Sequence, residues 1–175
     1  GLVIDAECDS VIMMSYATDG AWIAEELHRQ GFKGHRFGAD TVADAGFIDA
    51  SADPSTLDGI IATRPRQAED SEQKSLFESA WGKAGAPAGA LYTHETYDSV
   101  LLIGMALLSS ESDAAAAVAK TGIGFEGASG KHTFDMAGDV IGNGYDVCSF
   151  SYTAPSASFG CSQFWTVADG LSDLP

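Results

Sequence analysis

Basic side chains are scarce in this chain: nine Lys and Arg face 25 Asp and Glu across 175 residues, a formal charge of −16. A surface that acidic repels a phosphate backbone, and no basic stripe is left to follow DNA or RNA, which removes nucleic acid from the expected partners. Long apolar runs are missing as well. The longest, Val100 to Leu108, is interrupted by Gly104 and stays far below the about 18 residues that a membrane-spanning helix needs. No basic segment followed by an apolar one opens the sequence, so a secretion signal is expected to lie outside it.

Cysteine is sparse too. Cys8, Cys148 and Cys161 include no Cys-x-x-Cys, and no two histidines stand at ligand spacing, so neither a metal nor another cofactor is expected. Cys148 and Cys161 frame a segment rich in Ser and aromatic residues. A bridge between them closes a short loop, contributes about 3 kcal/mol in the chain-entropy picture and fits an oxidising compartment. Cys8 reads as buried and free, or as paired with a thiol that this chain lacks.

Catalytic signatures are absent in the same way. Gly127 to Lys131 has no Ser or Thr after its lysine and lacks the first glycine of a phosphate loop. The acidic run Asp135, Asp139, Asn143 and Asp146 lacks the alternate-residue spacing of a calcium loop and reads as a turn. His28, His35, His94 and His132 are scattered, with no Ser or Cys beside them in a way that suggests a relay. No nucleophile and base pair stands out, so an enzyme is not expected. Trp22, Trp81 and Trp165 read as packing residues.

What is present is a chain with 45% hydrophobic residues, enough for a real core in one domain or two small lobes. Asp9 to Ser15 is a short apolar run expected to form a strand buried on both faces. A helix follows, with Thr18 or Asp19 as cap, Ile23 and Leu27 on one face, and Gly31 as the stop. A strand at His35 to Gly38, an acidic loop at Asp40, a weak helix at Ala43 to Ala50, and a strand from Gly59 to Thr63 ending at Pro65 come next. This rhythm predicts a parallel sheet with flanking helices. Beyond Pro65 the period becomes helical, through Leu76 and Trp81, then Tyr97 to Gly104, then Ser112 to Lys120. Gly82, Gly85 and Pro87 separate the first two of these helices.

Near the C-terminus, Gly127 and Gly130 precede Lys131 to Phe134, followed by Asp135, Gly138, Asp139, and then Tyr145 to Val147. The pattern reads as two strands joined through a glycine-rich turn. Its Gly-x-x-Gly, Phe-Asp and Gly-Asp order resembles the signature near the end of type I periplasmic solute-binding proteins, above all the branched-chain amino acid receptors of ABC transporters. Asp9 to Gly31, Lys33 to Val42, the Gly59 to Pro65 crossover and Tyr97, Asp98 and Ser99 find counterparts in the same order. The resemblance covers nearly the whole chain but only the C-terminal half of a receptor.

The resemblance implies an α/β lobe with 1–65 in lobe 2, 66–126 as helices of lobe 1, and 127–175 as C-terminal strands of lobe 2. It implies a designed truncation or proteolytic piece of an extracytoplasmic (periplasmic) receptor, with the N-terminal half of that receptor and a membrane permease as partners. The ligand implied is an amino acid or a similar small polar solute. Tyr16 falls where the family has an aromatic group at the cleft mouth, Asp40 where it has the acid that holds the ligand ammonium, and Tyr92 where it has an aromatic wall on lobe 1. The residues by themselves leave other readings open: Tyr16 as a half-exposed tyrosine at a strand end, Asp40 as a helix cap and Tyr92 as a helix start. Met14 and Ser15 stand where the family often has glycines, which reshapes the pocket. Arg64 and Arg66, flanking the crossover, read as surface residues. The rival function is a ligand-sensing module of the same fold fused to a signalling region.

Overall fold

A computed structural model describes residues 5–66, 68–86, 92–142 and 144–174. The elements run β1 (Ser10–Met13), α1 (Ala17–Arg29), β2 (His35–Gly38), a 3-10 turn (Asp40–Val42), α2 (Gly46–Ala50), a second 3-10 turn (Pro54–Leu57) and β3 (Ile61–Pro65). Then follow α3 (Glu72–Lys83), α4 (Thr93–Leu107), α5 (Ala114–Thr121), β4 (Phe125–Gly127), β5 (Gly130–His132), β6 (Tyr145–Thr153), β7 (Ser156–Thr166) and β8 (Gly170–Asp173). Pro87 and Asn143, which entered the sequence reading as a separator and as part of the acidic run, lie outside the described residues. The chain divides into two compact units, one of Gly1–Pro65 with Gly144–Pro175 and one of Arg66–Asn143.

The first unit is a six-stranded sheet in the order β1-β2-β3-β6-β7-β8. β1, β2 and β3 are parallel, and β6, β7 and β8 extend the sheet antiparallel, so the parallel part is completed by a C-terminal meander. α1 buries Ala21, Ala24 and Leu27 and ends at Gly31, whose φ of 77° only glycine adopts without strain. The expected cap differs: Tyr16 occupies the N-cap position without a side-chain bond, and Asp19 lies inside the first turn, where its charge favours the helix dipole.

Met13, Ala21, Ala24, Val42, Phe47, Leu57, Ile60, Ala62 and Phe150 form the core on the α1 side of the sheet. Phe150 anchors it with rings on both sides, edge-on to Phe47 at 5.0 Å and tilted against Phe159 at 4.9 Å. Cys148 and Cys161 are opposite one another on β6 and β7 and are joined by a disulfide.

β1 departs from the expectation of burial on both faces. Met13 is 2% exposed but Ile12 is 70% exposed, because among the described residues β1 ends the strand order and only one face of the strand carries α1. Trp22 is also exposed rather than packed, since it lies outside the row Gly20, Ala21, Ala24 and Leu27 that α1 turns inward. Cys8 is free, as expected, but exposed rather than buried.

The second unit holds α3, α4, α5 and the β4–β5 hairpin. The hydroxyl of Ser71 caps α3 by accepting from the Lys74 N–H, and the carboxylate of Asp113 caps α5 by accepting from the Ala116 N–H. Phe77 packs against the rings of Trp81, His94 and Tyr97 at 5.5, 4.9 and 4.7 Å. Residues 127–142 pack here and not with the C-terminal strands. The hairpin expected between Lys131–Phe134 and Tyr145–Val147 is instead β4 against β5 around Gly127 and Gly130, while β6 from Tyr145 pairs with β3 and β7. The acidic stretch is an Asp135 turn, in which one carboxylate oxygen accepts the N–H of Ala137 and Asp139 at 2.8 and 3.0 Å.

Candidate functional site

Parallel strands deliver their outgoing loops to one rim. The segments after β1 (Met14 to Tyr16), after β2 (Ala39 to Thr41) and at the end of β3 (Arg64, Pro65) therefore share one edge of the first unit, as does the start of the antiparallel β6 at Tyr145 and Asp146. This is the edge at which open α/β sheets bind ligands.

Tyr16 is 74% exposed and Met14 86% exposed on this rim. Asp40 opens the 3-10 turn after β2, and its Oδ1 accepts the Thr41 N–H at 2.9 Å. The two loops are tied together: the Thr41 hydroxyl donates to the Ser15 carbonyl at 2.6 Å, and the Ala39 N–H donates to the Met13 carbonyl at 3.0 Å. Glycines permit that approach. A Cβ on Gly38 would collide with the Val42 side chain, and one on Gly20 would sit 2.8 Å from the Ser15 hydroxyl.

Further along the rim, Arg64 Nε lies 3.8 Å from the buried Asp146 carboxylate, and its guanidinium stands 5.7 Å from the centre of the Phe159 ring. The expectation of a surface position is corrected for Arg64, whose side chain is 24% exposed: its cross-strand partner Asp146 draws it onto the sheet. Tyr16 and Asp40 thus share one rim, a phenol and a carboxylate able to meet a cation. Tyr92 belongs to the second unit, at the start of α4, with a φ of 62° that is rare for a bulky residue.

One constellation was not anticipated. Asp98 on α4 is 2% exposed. Its Oδ1 accepts the Ala128 N–H at 2.8 Å, and its Oδ2 accepts both the Ser129 N–H at 2.7 Å and the Ser129 hydroxyl at 2.5 Å. His132 Nε2 is 2.7 Å from the Ser129 oxygen. His132 thus stands beside a serine in space, a proximity that the scattered histidines of the sequence did not suggest, because the tight β4–β5 turn folds it back onto Ser129. With the Ser129 proton committed to Asp98, the network assigns the Nε2 proton to His132 as donor. Protons thus run from His to Ser to Asp, the reverse of the order that activates a serine nucleophile. The signal in the sequence was an aspartate just before the apolar run Val100 to Leu108, together with a glycine pair around Ser129.

No family model matches the sequence, and no curated protein does. Solved structures do. The leucine binding protein LivK from Thermotoga maritima aligns with 91% of this chain at 21% identity and a TM-score of 0.67, the match spanning 45% of LivK. A periplasmic binding protein type 1 from Bordetella pertussis aligns with 90% of the chain at 14% identity and a TM-score of 0.70, over 47% of its own length. The fold is that of the type I periplasmic solute-binding proteins. LivJ from Streptococcus pneumoniae, solved with isoleucine, aligns with 87% of the chain at 16% identity and a TM-score of 0.59, over 44% of its length. The chain thus spans less than half the length of each of these three proteins. These neighbours are binding proteins rather than enzymes, and among the described residues no helix is long and apolar enough to cross a membrane.

Proposed function

We propose that this chain is part of the extracytoplasmic solute-binding component of an ABC transporter, which captures an amino acid or similar small polar solute and passes it to a membrane permease. The first unit takes the part of lobe 2, and the helices of the second unit belong to lobe 1; the N-terminal half of the receptor completes both. Capture follows from closure of two lobes on the solute, which shifts the balance between open and closed populations. Asp40 holds the solute ammonium, Tyr16 lines the mouth with an aromatic face, and Tyr92 adds a wall from lobe 1.

The observation that carries this reading is the shared rim of Tyr16 and Asp40, fixed by the bond from Thr41 to the Ser15 carbonyl. A zwitterion desolvated at such a rim needs a carboxylate for its cation. In the intact receptor, Asp40→Ala weakens amino acid binding by about 2 kcal/mol or more, because a buried ammonium loses its partner. Calorimetric titration with leucine and isoleucine measures this, and an unchanged affinity removes the assignment.

A further inference from the structure

The ribbon of β6 and β7 outruns the strands beside it. β3 pairs with β6 only as far as Ser149, and β8 pairs with β7 only from Gln163 onward. On the β8 side, the edge of β7 from Ser156 to Cys161 therefore lies open among the described residues, and the first bond met along it is the Leu174 N–H to the Ser162 carbonyl at 2.9 Å. The direction of the backbone groups on this edge follows from β6. The Phe150 N–H donates to the Ile60 carbonyl and the Phe150 carbonyl accepts the Gly59 N–H, both at 2.9 Å, so both groups of Phe150 turn away from β7. Phe159 stands opposite Phe150, which makes the two a pair without mutual hydrogen bonds, and Phe159 sends its own N–H and carbonyl outward. By alternation Ala157 and Cys161 do the same, and Tyr152, opposite Ala157, agrees by donating its N–H to the Asp58 carboxylate at 2.8 Å. Three residues thus present donors and acceptors at the spacing of a ladder that lacks its second strand.

Nothing in the sequence of this edge keeps a partner strand away. Exposed edges are usually blunted by Lys, by Pro or by an inward charge, and Ser156 to Cys161 has none of these. The lack of charge reaches further: between Asp146 and Asp169 there is no Asp, Glu, Lys or Arg, in a chain whose formal charge is −16. That contrast selects the partner. Two copies repel through their net charge, and the ribbon is where they can meet with no charged side chain of their own strands at the contact. The edge is also complementary to itself. Run antiparallel about a two-fold axis at Phe159, it sets Phe159 opposite Phe159 of the partner subunit and Ala157 opposite Cys161 of the partner subunit, and each such pair exchanges both of its N–H to carbonyl bonds. Ser158 and Gly160, the exposed residues between them, are small enough for the two strands to close.

We infer that the open edge of β7 from Ser156 to Cys161 is a self-association surface, on which a second copy of this chain adds its own β7 antiparallel and the sheet runs on from one copy into the other. The pairing goes beyond solute capture and does not depend on it. A strand contact of this length covers less than the about 1,200 Å² at the lower end of stable complexes, so the pair is a weak one that forms as concentration rises. Because the opposing charges lie outside the contact, salt screens their repulsion and tightens the pair.

Sedimentation of the intact protein tests it, with hydrogen exchange as the local readout. The parent protein shows a monomer and dimer equilibrium whose dimer share grows with protein concentration and with added salt, and exchange of the Ala157, Phe159 and Cys161 amides slows as the dimer forms. Ala157→Pro takes away one outward N–H without touching a bond to β6, and it weakens the dimer about tenfold or more. Should that variant lose its fold by circular dichroism, Ser158→Glu serves in its place by setting like charges against each other across the contact, with the same expected loss. A protein that stays monomeric up to about 1 mM overturns the inference. So does a dimer that neither substitution weakens, one that forms without slowing exchange in the ribbon, or an open-ended series of larger species in place of a closed pair.

Discussion

The carboxylate of Asp98 and the hydroxyl of Ser129 are 2.5 Å apart, 31 residues apart in sequence, and join the middle of α4 to the turn between β4 and β5. The same carboxylate holds the N–H groups of Ala128 and Ser129. Asp98→Ala leaves those donors buried without an acceptor, at a cost of about 3 kcal/mol or more. Urea unfolding of the variant should show the midpoint moved down accordingly, and a loss below about 1 kcal/mol would demote the network to a surface contact.

Gly38 sits where a Cβ would strike the Val42 side chain, directly before the loop that carries Asp40. Gly38→Ala should cost about 1–3 kcal/mol by overpacking and displace Asp40. Thermal unfolding and leucine titration of the intact receptor should both respond. A variant with normal stability and affinity would mean that the loop yields freely.

Thr41→Val keeps the shape of the side chain but removes its bond to the Ser15 carbonyl. The expected loss of stability is about 1 kcal/mol. Because the bond fixes the Tyr16 loop against the Asp40 loop, ligand affinity in the intact receptor falls as well, by less than for Asp40→Ala. Comparison of the two variants by calorimetry gives the order.

Acid should act through Glu25. Its Oε1 accepts the Ser51 hydroxyl at 2.8 Å and the N–H groups of Ala52 and Asp53 at 2.7 and 3.2 Å, and these bonds, that from Ser51 first, hold its pKa below the usual carboxylate value. The folded value is the lower one, so the stabilisation is complete above the unfolded value of about 4.3 and is lost as pH falls through the folded value. Melting temperatures followed across that acid range should drop less steeply for Glu25→Gln than for the parent chain. Parallel curves would show that Glu25 is not the group concerned.

The strand and helix rhythm through Pro65 was legible because each parallel strand is a short apolar run and each helix has an inward row. Hydrophobicity alone could not say which face of β1 is covered: Ile12 and Met13 are equally apolar, and only the strand order separates them. The β6 pairing was missed for a related reason, since partners far apart in sequence leave no local mark. Tyr16 and Asp40 could be placed at strand ends from the pattern, whereas the Thr41 to Ser15 bond depends on how closely Gly38 and Gly20 let the loops approach. Asp98 was legible as a motif and opaque as a partner of Ser129, because the turn that brings Ser129 to it lies in another element.

The bridge between Cys148 and Cys161 crosses the β6–β7 ribbon below its tip, where Thr153 pairs with Ser156. A protease that nicks the ribbon at that tip therefore does not release the C-terminal piece: the two fragments travel as one on a gel until a reductant is added, and the last strands keep their station on the sheet.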